Sequence, residues 1–294
     1  MLDRQKARAA FAEYVAPYDM ENSRIALKIA HTYRVAALCE RIARAEGLSS
    51  EEADIAWLCG LLHDIGRFEQ LRLWNTFRDS DSASHAAIGA AILSGHDPAE
   101  VERNAPVRAD ARTLEAGPEH ARLGRIDSFI GDRSWDGAIM AAVDLHSAYR
   151  LPETLDERVR TFCSIVRDAD KIDILRVNCE NTTQTVIGVE PDVFLASGIS
   201  EYALCAVEEH RCMVHTERHT PADFAVGMVC FVFELVYPES RRIVAEQGYL
   251  ERMLARPFGV GLPFDLERTQ RSWEHVGFVA RAVVQDGLLQ EGTD

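Results

Sequence analysis

The chain has 294 residues, of which 47% are hydrophobic and 27% are charged, so it can bury a core and is not expected to be disordered. Its formal net charge of −15, with no basic stretch to offset it, argues against an obligatory nucleic-acid partner but allows a small anionic substrate. The sequence has neither an apolar signal-like start nor an apolar run of about 18 residues, so we expect a cytoplasmic protein without a membrane partner.

Helical periodicity dominates the chain, which begins with a predicted N-terminal helix within residues 1–21. Residues 22–46 place apolar side chains along one side of a second helix. A third helix is predicted over 51–66, because a serine at 49–50 can cap its start and Gly66 suits its end. Further helices are predicted over 83–94, 137–147, 155–176, 199–215, 221–237, 239–254 and 266–287.

Two segments differ from this helical core. Residues 95–136 contain many Gly, Pro and charged residues, which indicates an insertion of loops and short helices. Residues 177–294 stay helical and form a predicted C-terminal lobe. Because no run of alternating strands occurs, the sequence predicts an all-α fold, with its core over 22–176.

Six histidine and aspartate side chains stand in apolar, helix-like sequence surroundings. Imidazole and carboxylate groups are costly to bury unless they are paired or bind a metal. A mixed set of nitrogen and oxygen ligands suits one or two divalent cations. The set consists of His31, His63, Asp64, His85, His146 and Asp170.

The adjacent pair His63-Asp64 ends the apolar stretch of the third predicted helix. Neighbouring side chains on a helix point about 100° apart, so both can reach one cation only if it lies close to the backbone. Gly60 and Gly66 would permit that approach. Asp64 can also bridge two ions, with one oxygen on each. Taken alone, the pair is equally consistent with an ordinary helix end.

The other members of the set are ambiguous one by one. His31 alone fits a core histidine that bonds to a backbone carbonyl, and the histidines at 85 and 146 also have structural interpretations. Asp168, Asp170 and Asp173 are alternatives for the last ligand. The metal-site hypothesis therefore depends on the set as a whole.

The set resembles the HD-domain metal-dependent phosphohydrolase superfamily, whose pattern is H…HD…D, with two further histidines in binuclear members. The resemblance covers about residues 22–176 and is strongest in LLHDIGR, SHAAIGAAIL and DADKID. It implies a helical bundle in which a first ion is bound by His31, His63, Asp64 and Asp170. A second ion would be bound by His85 and His146, with Asp64 as the bridge. The chain has no GYP motif, which departs from the cyclic-dinucleotide phosphodiesterases of this superfamily.

Two cationic side chains follow proposed ligands, namely Arg67 and Lys171. In a phosphohydrolase they would bind phosphate oxygens, Arg67 as a bidentate fork and Lys171 as a point charge. The alternative is a salt bridge to a carboxylate such as Asp168 or Glu69. With Asp64, these two residues form the predicted catalytic set.

The resemblance implies metal-assisted hydrolysis of a phosphate mono- or diester, with a nucleotide or related small molecule as substrate. The cofactors would be one or two divalent ions, drawn from Fe, Mn, Zn, Mg and Ni. A di-iron oxygenase has the same ligand set and is the alternative, and a non-catalytic nucleotide sensor is the third hypothesis. We expect specificity to lie in residues 68–79 and 95–136, and a homodimer is compatible with the sequence.

Overall fold

The computed structural model describes residues 2–108 and 122–289, and within them the regular structure is helical. No strand forms in these residues beyond one isolated bridge, so the predicted all-α class is confirmed. None of the helices in the described ranges is long and apolar enough to cross a membrane. Residues 109–121 of the predicted insertion lie outside the described residues.

The chain forms two compact units, Met1–Ala169 and Asp170–Asp294. The boundary falls within the helix Glu157–Glu180, earlier than the lobe predicted to start at residue 177. In order, the helices up to that boundary are α1 Arg4–Val15, α2 Ser23–Ala45, α3 Ser50–Leu62, α4 Gly66–Trp74, α5 His85–Ser94, α6 Ile126–Phe129, α7 Asp136–Leu145 and α8 Glu157–Glu180.

The helix predicted over 51–66 is two helices in the structure. A capping box between Ser49 and Glu52 fixes the start of α3, as the sequence indicated. The helix ends at Leu62, and His63, Asp64 and Ile65 form the turn into α4, which the sequence did not predict. The His-Asp pair therefore lies at a helix junction.

Gly60 and Gly66 bring helices of the first unit together. A Cβ atom on Gly60 would lie 2.7 Å from the Ala36 Cα of α2. A Cβ atom on Gly66 would lie 2.2 Å from the His85 carbonyl oxygen at the start of α5. These glycines allow α3 to pack on α2 and α4 to pack on α5, while their sequence-based role, room for a cation near the backbone, stays a prediction.

The second unit contains shorter helices around one long helix. Besides the end of α8, it consists of α9 Thr183–Val186, α10 Pro191–Leu195, α11 Glu201–Glu208, α12 Pro221–Val229, α13 Pro238–Gln247, α14 Tyr249–Ala255 and α15 Glu267–Leu289. Helix α15 contacts α11, α12 and α13, and it buries Trp273, Val276 and Ala280. Gly248, with φ of 66°, ends α13 and divides the helix that was predicted over 239–254.

Candidate metal centre

Four histidines and one aspartate of the first unit form a buried cluster. The residues come from α2, the junction of α3 and α4, the start of α5 and the end of α7. None is more than 4% exposed, and His63 is fully buried. One ligand atom each from His63, Asp64 and His146 lies within 4.8 Å of the others, which is the spacing of groups that could hold a metal ion. The cluster consists of His31, His63, Asp64, His85 and His146.

Two of these histidines occupy the same place at the ends of their helices. His63 is the C-cap of α3, and its Nδ1–H donates to the Gly60 carbonyl oxygen over 2.8 Å. His146 is the C-cap of α7, and its Nδ1–H donates to the Val143 carbonyl oxygen over 2.7 Å. Each bond satisfies one of the carbonyls that a helix leaves unpaired at its end. A carbonyl only accepts, so these bonds fix the tautomer and aim Nε2 into the cluster.

His85 is aimed by a carboxylate instead. Its Nδ1–H donates to Asp79 Oδ2 over 2.7 Å, and the Gln70 amide donates to Asp79 Oδ1 over 2.7 Å. Although burial raises the pKa of Asp79, its hydrogen bond with His85 and nearby positive groups lower that pKa to about 2. A carboxylate that holds the outer nitrogen of a metal-binding histidine is a common feature of metal sites.

Asp64 lies between two pairs of imidazole nitrogens. Its Oδ2 is 3.6 Å from Nε2 of both His31 and His63. Its Oδ1 is 3.6 Å from His85 Nε2 and 3.8 Å from His146 Nε2. The carboxylate therefore presents one oxygen to each pair, which is the arrangement that a bridging ligand requires.

The spacing of the imidazole nitrogens fits shared ions. Nε2 atoms are 2.9 Å apart in His85 and His146, and 3.3 Å apart in His31 and His63. Two nitrogen ligands that lie about 2.0–2.1 Å from one ion, at right angles to each other, are about 2.9 Å apart.

If His85 and His146 both carry their proton on Nδ1, the lone pairs of their Nε2 atoms face each other over 2.9 Å, and a cation bound to both nitrogens would relieve that repulsion. Burial, together with the charge of Arg67, lowers the pKa of His85, which disfavours a proton as that centre. The donor set fits a divalent cation.

Two cationic side chains of the first unit contact the Asp64 carboxylate. Lys28 Nζ lies 2.6 Å from Asp64 Oδ2, and Arg67 Nε lies 3.4 Å from Asp64 Oδ1. Burial raises the pKa of Asp64, but Lys28 and the other positive groups around it hold that pKa well below its ordinary value. The carboxylate is therefore ionised, as a ligand must be.

Arg67 lies where the sequence placed it, one turn after Asp64. Its Nη1–H donates to Gln70 Oε1 over 2.8 Å and to the Phe77 carbonyl oxygen over 2.6 Å. Nη1 is also 3.2 Å from Asp79 Oδ1. Its Nε is buried and has no hydrogen-bond partner. The buried Nε–H thus makes no hydrogen bond, although it lies 3.4 Å from Asp64 Oδ1 beside the cluster.

The predicted residues of the DADKID segment divide between the two units. Asp168 is fully buried in the first unit, and Asp170 is the first residue of the second. Asp173 binds Arg176 through both oxygens, each over 2.8 Å. Lys171 Nζ lies 3.3 Å from Glu234 Oε2 within the second unit. The roles of Asp170 as a ligand and of Lys171 in phosphate binding stay predictions.

Sequence reasoning missed Lys28, Gln70 and Asp79. Lys28 precedes His31 by three residues, so helical spacing alone places it on the face that carries that ligand. Asp79 precedes His85 by six residues and begins the short 3-10 helix Asp79–Asp81, and nothing in the local sequence predicts that its carboxylate bonds to the imidazole.

Comparison with known proteins gives one family. A family model described as HD domain matches residues 29–175, which is half of the chain. The matched range contains the five cluster residues and also Asp170. No curated protein and no solved structure matches the chain.

Proposed function

The chain belongs to the HD-domain family, and from this premise we propose that it is a metal-dependent phosphohydrolase. Proteins of this family are in general metal-dependent phosphohydrolases, and the substrate we propose is a phosphate mono- or diester of a nucleotide or related small molecule. The observation that carries the proposal is the position of Asp64, whose two oxygens each face a separate pair of imidazole nitrogens.

This arrangement supports two ion sites that share one carboxylate. His31 and His63 would hold the first ion with Asp64 Oδ2, and we assign Asp170 to the same ion because the family match includes it. His85 and His146 would hold the second ion with Asp64 Oδ1. When bound, such ions act as Lewis acids and lower the pKa of water, so that it can attack a phosphorus atom near neutral pH.

The protein groups do the positioning. The carbonyls of Gly60 and Val143 and the carboxylate of Asp79 hold three of the imidazoles with their Nε2 atoms inward. Burial of the cluster keeps bulk water from these ligands. We propose that the Arg67 guanidinium, whose Nε makes no hydrogen bond and lies 3.4 Å from Asp64 Oδ1, donates to a phosphoryl oxygen.

The test is hydrolysis by protein that has been reconstituted anaerobically with Mn²⁺, Fe²⁺ or Zn²⁺. We expect release of phosphate or of a nucleoside monophosphate from a panel of nucleotides and generic phosphate esters, at equal rates with and without dioxygen. The matched control is the Cys205→Ala protein, which changes an exposed thiol of the second unit and should retain full activity.

Two other outcomes would point elsewhere. Turnover that needs iron and stops under argon, with no hydrolysis of any phosphate ester, would favour the di-iron oxygenase. Nucleotide binding without turnover, in protein that contains bound metal, would favour the sensor hypothesis. Either result would overturn the phosphohydrolase proposal.

A further inference from the structure

Lys28 lies on α2 one turn before His31 and contacts the central carboxylate. Its Nζ is 2.6 Å from Asp64 Oδ2, the oxygen that faces His31 and His63. The Lys28 side chain is 18% exposed, whereas that of Asp64 is 3% exposed, so the lysine lies at the edge of the buried cluster. An ion held by the two histidines and Asp64 Oδ2 would compete with this ammonium for the same oxygen.

An aromatic ring lies on another side of the lysine ammonium. Its ammonium lies 5.5 Å from the centroid of the Phe77 ring, whose face attracts cations. The flexible four-carbon stem allows the group to move while its backbone position stays fixed on α2. A divalent cation beside Asp64 Oδ2 would repel the ammonium, and this repulsion favours a position nearer to Phe77.

Arg67 approaches the same aromatic ring. Its guanidinium carbon is 5.7 Å from the Phe77 centroid, and its Nε contacts the other oxygen of Asp64. Lys28 and Arg67 therefore flank Asp64 and share one neighbouring ring. A phosphoryl group offers several acceptor oxygens, so it can accept from both cations at once.

The charges at the cluster favour a phosphomonoester over a phosphodiester. The carboxylates of Asp64 and Asp79 are matched by Lys28 and Arg67, while the neutral imidazoles add no charge. Two divalent cations would therefore bring positive charge that these groups leave uncompensated, even with Asp170 as a further ligand. A phosphomonoester carries close to two negative charges at neutral pH and offsets more of this excess than a diester, which carries one.

From these contacts we propose that Lys28 is a substrate-binding residue, whose ammonium transfers from Asp64 to the phosphoryl group of a phosphomonoester once the ions are bound. The inference rests on the proposed function, which it narrows from phosphate esters in general to monoesters. It assigns to Lys28 the role that the sequence gave to Lys171.

The test measures binding of inorganic phosphate and of dimethyl phosphate to the Mn²⁺-loaded protein by calorimetry. We expect the native protein to bind phosphate more tightly than dimethyl phosphate. Lys28→Met should weaken phosphate binding roughly 10- to 100-fold, the loss of one charge-assisted hydrogen bond, and affect dimethyl phosphate less. Lys28→Arg should retain most of the affinity.

The matched control is Arg24→Met. Arg24 lies one turn earlier on α2 and bonds to Asn75 instead of Asp64, so its removal should leave phosphate binding unchanged. A Lys28→Met protein that binds phosphate as tightly as the native protein would overturn the inference.

Metal titration provides a second readout that does not depend on turnover. Removal of the competing ammonium should leave Mn²⁺ binding as tight as in the native protein or tighter. Weaker Mn²⁺ binding in Lys28→Met would mean that the lysine only positions Asp64, and this too would overturn the inference.

Hydrolysis of monoesters with an unchanged KM in Lys28→Met would reject the role of Lys28 and leave the proposed function standing. Lysine-dependent phosphate binding without hydrolysis of any ester would reject the proposed function.

Discussion

The two oxygens of Asp64 face different surroundings. On the Oδ2 side, two histidines come from α2 and the end of α3, their Nε2 atoms are 3.3 Å apart, and a lysine bonds to the shared oxygen. On the Oδ1 side, the histidines come from α5 and α7, and their Nε2 atoms are 2.9 Å apart. There, Asp79 and Arg67 form a charged shell outside the ligands.

The difference bears on how firmly each side would hold an ion. A carboxylate on the outer nitrogen of His85 fixes that ring and makes it a stronger donor. Each oxygen of Asp64 has a cationic neighbour, but Lys28 Nζ lies 2.6 Å from Oδ2 whereas Arg67 Nε lies 3.4 Å from Oδ1, so competition for the oxygen is stronger on the Oδ2 side. We therefore expect the Oδ1 side to be the better prepared of the two, although Asp170, as a further ligand, would strengthen the Oδ2 side.

The largest effect is expected from Asp64→Ala, which removes the ligand that both sides share. The substitution should abolish bound metal and hydrolysis together, because each pair of histidines loses its oxygen ligand. Elemental analysis of the purified protein, beside circular dichroism to show that the helices persist, measures this. A variant that still contains two ions per chain would disprove the bridging role.

The fold class and the members of the buried cluster were largely predictable from sequence. Apolar periodicity identifies most helices, because core contacts repeat with the helical period. The histidines at 31, 63, 85 and 146 and Asp64 stand out since buried polar groups need partners. The bridging role of Asp64 stays a prediction, which the position of its two oxygens between two pairs of imidazoles supports.

What the sequence could not supply are contacts between distant segments. Asp79 reaches His85 through a loop, and Lys28 reaches Asp64 across a helix pair, so neither pairing has a local pattern. Some helix ends were also predicted wrongly. The apolar pattern continues past Leu62, where α3 ends, so apolar periodicity alone does not predict the turn between α3 and α4. Gly66 is another contact between distant segments that the sequence does not predict, since its close neighbour is the backbone of helix α5.

Single-histidine variants test whether the two sides are separate sites. His85→Ala should lose mainly the ion of the Oδ1 side, and His31→Ala mainly that of the Oδ2 side, so each should retain about one ion per chain. Metal content and kcat measured on the same preparations check this. Full two-ion content in His85→Ala would refute the binuclear assignment.

The backbone contact beneath His85 gives a stability prediction. Gly66→Ala places a Cβ atom against the His85 carbonyl and the backbone of Gly89. These backbone atoms can move only if helix α5 shifts, so we expect a loss of about 3 kcal/mol in unfolding free energy. The closest neighbours of a Cβ atom on Gly89 are side-chain methyl groups of Val143 and Ile65, at 3.1 and 3.3 Å, and the Gly66 backbone nitrogen lies at an ordinary contact distance of 3.5 Å, so Gly89→Ala should cost less than about 1 kcal/mol. Urea unfolding of both variants compares them. Equal stability would show that α4 and α5 pack less closely than described.

The smallest effect, and the most direct test of the difference between the two sides, is expected from Asp79→Asn. The amide can still accept the hydrogen bond from His85 Nδ1, so the ring stays in place, but the negative charge that strengthens its Nε2 as a donor is gone. We expect about tenfold weaker binding of one ion and little change in the other. Stepwise titration with Mn²⁺ measures both affinities. Asp81→Asn is the control, because Asp81 is exposed and its carboxylate lies 4.0 Å from Arg78. If Asp79→Asn weakens both ions equally, the charged shell serves the whole cluster and the distinction between the two sides of Asp64 does not hold.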